Sequence, residues 1–257
     1  MNSLVMTGRT DPGMVREHNE DCFLIVPENG FALLADGMGG HLSGEVASAM
    51  AVDQVTQHLL NTLQAPAANN GAVTDSSVLA EAIKAANSAI HSSSMQHPEQ
   101  AGMGTTIVAV TFHDDRLTVA HVGDSRLYRY RNGELSQVTE DHSMVQELLR
   151  RGLISPDEAR TSVNRNLVTR ALGVDPVVEV DIKEETVQDG DLYLLCSDGL
   201  NDVLTDAEIA ALLGQYGDDM EKATRQMILE VNARGGPDNV SIVLIRTNGR
   251  FDRLPER

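Results

Sequence analysis

Acidic residues recur at the ends of apolar runs that have the length of β-strands, each beside a tight turn. They are Glu20, Asp21, Asp36, Asp124, Asp198 and Asp238. A folding chain does not bury carboxylates unless something compensates their charge. Strand ends of one sandwich can converge on a single cleft, where several carboxylates without cations would repel one another. Because hard divalent ions bind oxygen-only clusters of this kind, the pattern favours a metal site.

Each of these acids also has an ordinary structural explanation. Asp36 and Asp198 precede glycine, and a single Asp-Gly pair is more often a turn than a metal ligand. The joint pattern in one acidic chain favours metal binding over that explanation. Two divalent ions a few ångströms apart would acidify a shared water and hold both oxygens of an in-line displacement, which is hydrolytic chemistry.

Arg16 lies four residues before Glu20 and is a candidate for holding a substrate. If the substrate is a phosphoryl group, its outer oxygens need a fixed cation, and the arginine fork matches the geometry of phosphate. A solvated surface arginine explains this position equally well.

Composition and charge limit the class of protein. The 257 residues are 41% hydrophobic, which is enough for one large core, and the formal net charge of -18 argues against nucleic-acid binding. No apolar run reaches the roughly 18 residues of a membrane helix, and the N-terminus lacks the pattern of a secretory signal. We therefore expect a cytoplasmic protein without membrane contact. Cys22 and Cys196 are far apart in sequence and are expected to be free thiols.

Hydrophobic periodicity predicts the elements that would position the acids. The main predicted elements are a hairpin (22–27 and 31–36), helices over 43–63 and 76–93, an antiparallel meander of four strands over 104–138, strands over 177–185 and 191–198, one long helix from a capping box at 205–208 to about 233, and a last strand over 239–247. Strands thus come in two batches, with helices after each. This order predicts two antiparallel sheets packed face to face with helices outside, an α+β fold.

A basic segment between residues 142 and 173 interrupts the acidic chain. It is predicted to be polar and helical, with a second capping box at 155–158. Its arginines are Arg150, Arg151, Arg160, Arg165 and Arg170. No internal repeat and no long linker divide the sequence, so we predict one domain over 1–257 with a loose tail over 248–257.

Eight motifs follow one another in a specific order. They are "VREHNEDCF", "LLADGMGGHLSGEVAS", "GTTIVAV", "AHVGDSRLYRY", "TEDHSMV", "LVTRALG", "LLCSDGLND" and "GGPDNVSIVL". The ordered set resembles the metal-dependent serine/threonine protein phosphatases of type 2C, and among them the compact bacterial branch. The resemblance covers roughly residues 6 to 247. Any one motif is weak, whereas their order is very specific.

The resemblance implies a four-layer α-β-β-α sandwich, with helix pairs flanking the two sheets and a small helical flap at about 143–173. It also implies two Mn²⁺ or Mg²⁺ ions bridged by an aspartate and a water. By motif, Asp36 would bridge the ions and the carbonyl oxygen of Gly37 would bind one of them. Asp198 and Asp238 would hold one ion, and Glu20 would reach the other mainly through water.

The resemblance assigns further roles by the same motifs. Asp21 would accept hydrogen bonds from the metal waters and orient them. Arg16 would grip the substrate phosphate. A third, weaker metal ion would bind Asp124 and Asp198, with Asp202 as a neighbouring or alternative ligand.

One position departs from the pattern of the eukaryotic relatives. They carry a histidine after Asp-Gly, proposed to protonate the leaving alkoxide, whereas this chain has Met38. Bacterial members commonly share this change, so the implied activity stands and the identity of the acid is open. The candidates are a metal-bound water, at the third ion, and His41, whose position local packing also explains. His121 and His142 are expected to hold loops and strands.

The resemblance therefore implies a monomeric bacterial enzyme that hydrolyses phosphoserine and phosphothreonine in proteins and reverses a serine/threonine kinase. The water that bridges the two metal ions would attack the phosphorus directly. The flap arginines would contact acidic or phosphorylated parts of the substrate, or would pair locally with Glu147, Asp157 and Glu158.

Three alternatives to this function remain at the level of sequence. The first is a pseudophosphatase that keeps the fold as a binding module, which the intact set of metal-binding acids argues against. The second is a related phosphatase acting on an anti-anti-sigma protein, a branch that usually carries sensor domains. The third is a Ca²⁺-stabilised structural sandwich, which gives no reason for Arg16 beside the cleft.

Overall fold

The computed structural model describes residues 4–39, 43–64, 75–155, 158–159, 162, 164 and 167–248. Within this part of the chain the strands form two antiparallel sheets. The first sheet has the strand order β1, β11, β10, β7, β8. Its strands are β1 (Leu4–Asp11), β7 (Arg126–Arg131), β8 (Glu134–Gln137), β10 (Leu192–Cys196) and β11 (Val240–Thr247).

The second sheet has the strand order β2, β3, β5, β6, β9, and the short β4 pairs with the end of β3. Its strands are β2 (Asp21–Val26), β3 (Phe31–Met38), β4 (Gly104–Thr105), β5 (Ile107–His113), β6 (Arg116–Val122) and β9 (Asp181–Thr186). The predicted hairpin is therefore confirmed as the pair β2 and β3, in which Asp21 lies opposite Asp36.

Helices cover the outer face of each sheet. α1 (Ser43–Gln64) and α2 (Asp75–Gln96) pack on the second sheet, and α5 (Asp206–Tyr216) and α6 (Met220–Ala233) pack on the first. Two shorter helices, α3 (Met144–Arg150) and α4 (Asp198–Asn201), lie outside these layers. The α-β-β-α sandwich is confirmed. No helix of the described residues is long and apolar enough to cross a membrane.

The central strands of each sheet are buried on both faces, which explains why they read as nearly continuous apolar runs. In β3, Leu33 and Ala35 point toward α1 and α2, whereas Ala32 and Leu34 point into the layer between the sheets. The same alternation along the other central strands fills three core layers. One lies between the two sheets, and one lies between each sheet and its helices. The result is a rigid frame whose strand ends stay in register.

The predicted meander over 104–138 is wrong in one respect, because its strands are divided between the sheets. β5 and β6 belong to the second sheet, and β7 and β8 belong to the first. The chain crosses over in the turn Gly123-Asp124-Ser125, where Gly123 has a φ of 107°. This crossover carries Asp124 to the junction of the two sheets.

One further prediction is wrong, and one strand was not predicted. The single helix over 205–233 is two helices, because α5 ends at Tyr216 and Asp219 caps the start of α6 by accepting a hydrogen bond from the Lys222 amide. β1 was not predicted, and it pairs with β11 along its whole length. The predicted loose tail lies, beyond Asn248, outside the described residues.

Candidate metal centre

Six acidic side chains from both sheets meet at one end of the sandwich. The acid cluster consists of Glu20, Asp21, Asp36, Asp124, Asp198 and Asp238. Asp21 begins β2 and Asp36 lies near the end of β3, so the register of this hairpin places them side by side. Asp198 follows the end of β10, and Asp238 precedes the start of β11, the neighbouring strand. All six acids therefore sit at strand ends, as the sequence predicted.

Hydrogen bonds between the sheets fix the two halves of the acid cluster. Ser197, next to Asp198, donates its hydroxyl to Asp21 Oδ2 at 2.8 Å, and its Oγ accepts from the Ser241 amide at 2.9 Å. The Asn239 side chain accepts from the Glu20 amide at 2.8 Å. These bonds tie the start of β2, on one sheet, to the ends of β10 and β11, on the other.

The backbone of Asp36 is held from the opposite side by two threonines. Its carbonyl oxygen accepts from the Thr106 amide at 2.9 Å and from Thr105 Oγ1 at 2.8 Å. Its amide donates to Thr106 Oγ1 at 3.0 Å, and that oxygen lies 2.6 Å from Ser125 Oγ in the crossover turn. Asp36 and Asp124 are thus positioned by one hydroxyl network, which leaves the Asp36 carboxylate directed at the other acids.

Gly37 and Gly44 allow the end of β3, the first turn of α1 and Glu20 to approach one another closely. A Cβ at Gly37 would overlap the carbonyl oxygen of Gly44, and a Cβ at Gly44 would overlap the Glu20 carboxylate. The Gly37 amide donates to the Glu20 carbonyl oxygen at 3.1 Å. A side chain at Gly44 would therefore displace the Glu20 carboxylate, and one at Gly37 would push the first turn of α1 away from β3.

Burial and mutual repulsion disturb the protonation of the aspartates. Burial, followed by the charges of neighbouring aspartates, raises the pKa of Asp36 and of Asp198 well above the usual range. Burial also raises the pKa of Asp21 and of Asp124 to about 6. The repelling neighbours of Asp36 are Asp21, Asp198, Asp124 and Asp238, which shows that these carboxylates share one electrostatic site.

Arg16 lies at the rim of the acid cluster. Its Nη2 is 2.7 Å from Asp238 Oδ2, and its side chain is 52% exposed. Burial raises the pKa of Glu20, and the charge of Arg16 works against that increase. Arg16 is therefore within electrostatic reach of two acids while half of it faces solvent, where a substrate can approach.

Asp124, Asp198 and Asp202 form a second group on the flap side of the acid cluster. Asp124 and Asp202 both raise the pKa of Asp198, after burial. All three line one cleft of about 520 Å³, which extends away from Asp36. The residues predicted for the third metal are therefore brought together.

The arrangement fits divalent cations that prefer oxygen ligands. Within the described part of the chain, Asp21 Oδ1 is buried and has no hydrogen-bond partner. The aspartates raise one another's pKa because they repel and are buried. A nearby divalent cation would offset both the repulsion and the free-energy cost of burying the ionised carboxylates. Carboxylate and carbonyl oxygens suit Mg²⁺ or Mn²⁺ rather than a thiolate-binding metal.

The sequence profile described as "Protein phosphatase 2C" matches residues 15–235. The chain belongs to the protein phosphatase 2C family. It is 38% identical over 243 residues to the serine/threonine phosphatase stp of Listeria innocua, covering 93% of this chain and 94% of that protein. It is also 41% identical over 236 residues to the serine/threonine protein phosphatase PstP of Mycobacterium tuberculosis, covering 92% of this chain and 43% of PstP.

Solved structures of other members of the 2C family share the fold. The M. tuberculosis phosphatase PstP superposes with a TM-score of 0.86 at 36% identity, covering 95% of this chain and 99% of that one. The catalytic domain of PstP in complex with two manganese ions has a TM-score of 0.83 at 36% identity, with 95% and 98% covered. 2C phosphatases are metal-dependent, and the oxygen-rich centre of this chain agrees with that property.

Several residues that build this 2C phosphatase centre were missed at the level of sequence. They are Thr105, Thr106, Ser125, Ser197 and Asn239. All are small polar residues at strand ends. Each lies beside an acid in the sequence or on a strand that neighbours a strand carrying an acid. Their position was the available signal, because a hydroxyl or amide at the end of an apolar strand can serve an acid that must be held in place.

His121 and His142 hold the crossover turn, as the sequence interpretation expected. His142 donates its amide to the Gly123 carbonyl oxygen at 3.0 Å, and its Nδ1 accepts from the Gly123 amide at 3.0 Å. The His121 ring stacks on His142, with centroids 4.6 Å apart. Met38 pairs with Gly104 at the end of β3, and the other candidate acid, His41, lies outside the described residues.

Of the flap arginines in the described residues, two make local ion pairs. Arg151 Nη2 is 3.3 Å from Glu147 Oε2, and Arg170 Nη1 is 2.6 Å from Asp181 Oδ1. The alternative that flap arginines pair locally with Glu147, Asp157 and Glu158 is therefore confirmed for Arg151, whereas Arg170 pairs with Asp181, a partner that was not predicted. Arg160 and Arg165 lie outside the described residues, as does Asp157.

Proposed function

We propose that this chain hydrolyses phosphoserine and phosphothreonine in proteins, using two Mn²⁺ or Mg²⁺ ions held by the acid cluster. The observation that carries the proposal is the meeting of buried aspartates that raise one another's pKa, with Arg16 at their exposed rim. The names of the similar proteins, serine/threonine phosphatases from Listeria and Mycobacterium, support the substrate class. We further propose that residues 1–257 form a single catalytic domain and act as a monomer in the cytoplasm.

The acids would divide the ions between them. Asp36 would bridge both ions, the Gly37 carbonyl oxygen would bind one, Asp198 and Asp238 would hold one, and Glu20 would act through water. When bound, the ions would lower the pKa of a shared water and offset the negative charge of the phosphate. Asp124, Asp198 and Asp202 would hold a weaker third ion.

Asp21 would position the attacking water. Its Oδ2 is fixed by the Ser197 hydroxyl, and its buried Oδ1 is the acceptor that has no partner within the described residues. A carboxylate held in this way can accept a hydrogen bond from a water beside Asp36 and set the direction of its lone pair. Asp21 would therefore orient the attacking water in addition to contributing negative charge.

Arg16 would bind the outer oxygens of the phosphate. Among the described residues its guanidinium contacts one carboxylate oxygen, at 2.7 Å, and its other N–H groups can donate to a phosphate. Asp238, which would hold an ion, is also the acid that positions Arg16. The thioether of Met38 has no proton to give, so the leaving oxygen of the substrate takes its proton from another group.

Phosphate release from a phosphothreonine peptide, measured with Mn²⁺ and with excess EDTA, tests this function. We expect release with Mn²⁺, none with EDTA, and much less from a phosphotyrosine peptide of the same sequence. A thermal melt gives an independent readout, because Mn²⁺ that binds the folded state must raise the melting temperature. A Mn²⁺-stabilised protein that releases no phosphate would instead be a binding module of the pseudophosphatase type. A bacterial serine/threonine kinase that makes the substrate is the expected opposing enzyme.

A further inference from the structure

A cleft of about 520 Å³ runs from the acid cluster toward the flap, and we name it the flap cleft. Its inner end is formed by Asp124 and Asp198. One wall is α3, with Val145 and Leu149, and the facing wall is the segment 201–206 between α4 and α5. Its volume falls within the range of about 300 to 1,000 Å³ that is typical of ligand sites.

The flap cleft combines an apolar surface with a large excess of negative charge. Its apolar side chains are Val145, Leu149, Ala159, Val203 and Leu204. Its acids are Asp124, Asp141, Asp198, Asp202 and Asp206. A divalent ion at the inner end would not neutralise these five carboxylates, so the outer part stays negative in the loaded enzyme.

Arg126 is the one cation among the described residues that line the flap cleft, and it is already engaged. Its Nε lies 3.0 Å from both carboxylate oxygens of Asp141, and its Nη2 lies 2.7 Å from Asp141 Oδ2. A third nitrogen donates to the Tyr128 hydroxyl at 2.6 Å. This pair removes one acid and one cation from recognition, and Asp206 lies at the outer end of the flap cleft.

Asp206 is a firmly placed acid at the exposed end of the flap cleft. It is the first residue of α5, where the helix dipole favours a negative charge, and its Oδ1 accepts from the Tyr128 hydroxyl at 3.1 Å. Asp206 has no part in the proposed metal centre. It can therefore contact a ligand without taking part in the chemistry.

We propose that the flap cleft binds the stretch of substrate beside the phosphorylated residue and selects a lysine or arginine there, through Asp206. The inference rests on the proposed function, since a peptide whose phosphate lies at Asp36 must leave the acid cluster along a path on the surface. The flap cleft is such a path, because it opens on Asp124 and Asp198. Its apolar wall accommodates the stem of a basic side chain, and Asp206 binds the charged end.

The test is a set of phosphothreonine peptides in which arginine or glutamate is placed at each of four positions on either side of the phosphothreonine. With Mn²⁺-loaded enzyme, arginine should raise kcat/KM over glutamate at one or two positions by about three- to fivefold, the size of one exposed ion pair. Asp206→Asn should remove this preference and keep the bond from Tyr128. Asp206→Lys should reverse the preference toward glutamate, which misfolding would not do.

Two controls isolate the flap cleft. Asp218→Asn makes the same change in charge at an exposed site beyond the end of α5 and should keep the preference for arginine. Hydrolysis of p-nitrophenyl phosphate, which has no flanking residues, should be unchanged by both Asp206 variants. Equal kcat/KM for arginine and glutamate peptides at every position, on an active enzyme, would overturn the assignment. Absence of release from all phosphothreonine peptides would overturn the proposed function and this assignment with it, so the two failures are distinguishable.

Discussion

The acid cluster around Asp36 can be compared with a second group, the histidine cluster of His121, His142, Asp181 and Arg170. Its two imidazoles and one carboxylate are of kinds that bind metals, and its fourth member is a cation. Imidazole and carboxylate atoms of the histidine cluster lie within 4.8 Å of one another. Its rings, however, are stacked with only 17° between their planes. Ring nitrogen lone pairs lie in the ring plane, so two nearly parallel rings cannot both point at one ion about 2 Å away.

Charge compensation separates the two clusters more clearly than residue type. His142 Nδ1 accepts from the Gly123 amide, so the proton of the neutral ring is on Nε2, which lies 3.3 Å from Asp181 Oδ2. Burial raises the pKa of Asp181, but hydrogen bonds from Arg170 and His142 outweigh it and lower that pKa. In the acid cluster the same kind of carboxylate is surrounded by others. A cation site is therefore recognised by unpaired charge rather than by a set of possible ligands.

The largest expected effect comes from changing one aspartate in each cluster. Asp198→Asn should lower kcat/KM for a phosphothreonine peptide by more than roughly a hundredfold. That value is the upper end of the loss when a residue that hydrogen-bonds a metal ligand is changed, and Asp198 is a proposed ligand itself. Asp181→Asn should keep activity within a few-fold of the wild type, because the Asp181 carboxylate pairs with Arg170 and does not bind the ions. Phosphate release at saturating Mn²⁺ measures both. Near-normal release by the Asp198 variant, or equal losses in the two variants, would remove the distinction between the clusters.

Stability as a function of pH should distinguish the clusters next. Asp124 has a pKa of about 6 in the folded protein, against about 3.9 for an unfolded aspartate. Between these values the folded state keeps a proton that the unfolded state has released. The stability that this proton contributes is full below the unfolded pKa and is lost as the pH rises through the folded pKa.

Asp124→Asn should therefore stabilise the metal-free protein at pH 7, by about 2 to 3 kcal/mol, and change its stability little at pH 4. Urea unfolding in EDTA at the two pH values measures the difference. Excess Mn²⁺ should reverse the order, because it stabilises the wild type by binding the intact acids. Equal unfolding free energies of the wild type and the Asp124 variant at pH 7 without metal would show that burial and neighbouring acids do not destabilise the ionised Asp124.

The arginines of the two regions should also behave differently. Arg16→Ala should raise KM for a phosphopeptide about tenfold and leave kcat nearly unchanged, since a lost phosphate contact weakens ground-state and transition-state binding alike. Arg16→Lys should recover part of the loss by restoring the charge without the fork. A fall in kcat at constant KM would assign Arg16 a role in the chemical step.

The sequence was sufficient for the layers of the fold and for the acids, but not for how the chain is connected. The alternation in β5, β6 and β7 is the same whether consecutive strands share a sheet or cross between sheets, so the crossover at Asp124 left no periodic signal. The apolar pattern continues through Tyr216-Gly217, which concealed the break between α5 and α6. The capping box at Thr205 could be predicted because its signal lies within four consecutive residues. The predicted reciprocal bonds between Thr205 and Glu208 are present.

Partner choice was the least predictable part of the site. Arg126 and Asp141 lie fifteen residues apart, and only the pairing of β7 and β8 brings them together. The sequence left open whether arginines of the basic segment contact an acidic substrate or pair locally with Glu147, Asp157 and Glu158, because the distances between charges depend on the fold. Arg151 and Arg170 are paired within the protein, and the described residues that line the flap cleft carry five acids and one cation.

The smallest expected effect is the loss of compensation in the histidine cluster. Arg170→Gln removes the partner of Asp181, with which Arg170 makes a contact of 2.6 Å at a half-exposed site, so the unfolding free energy should fall by about 1 kcal/mol. Urea unfolding measures that loss, and a Mn²⁺ titration of activity supplies the control. The half-saturating Mn²⁺ concentration should not change, because a structural ion pair affects folding and leaves the ligands of the acid cluster in place. A tighter or additional Mn²⁺ site in the variant would mean that Arg170 itself occupies a cation position, and the two clusters would then differ in occupancy rather than in kind.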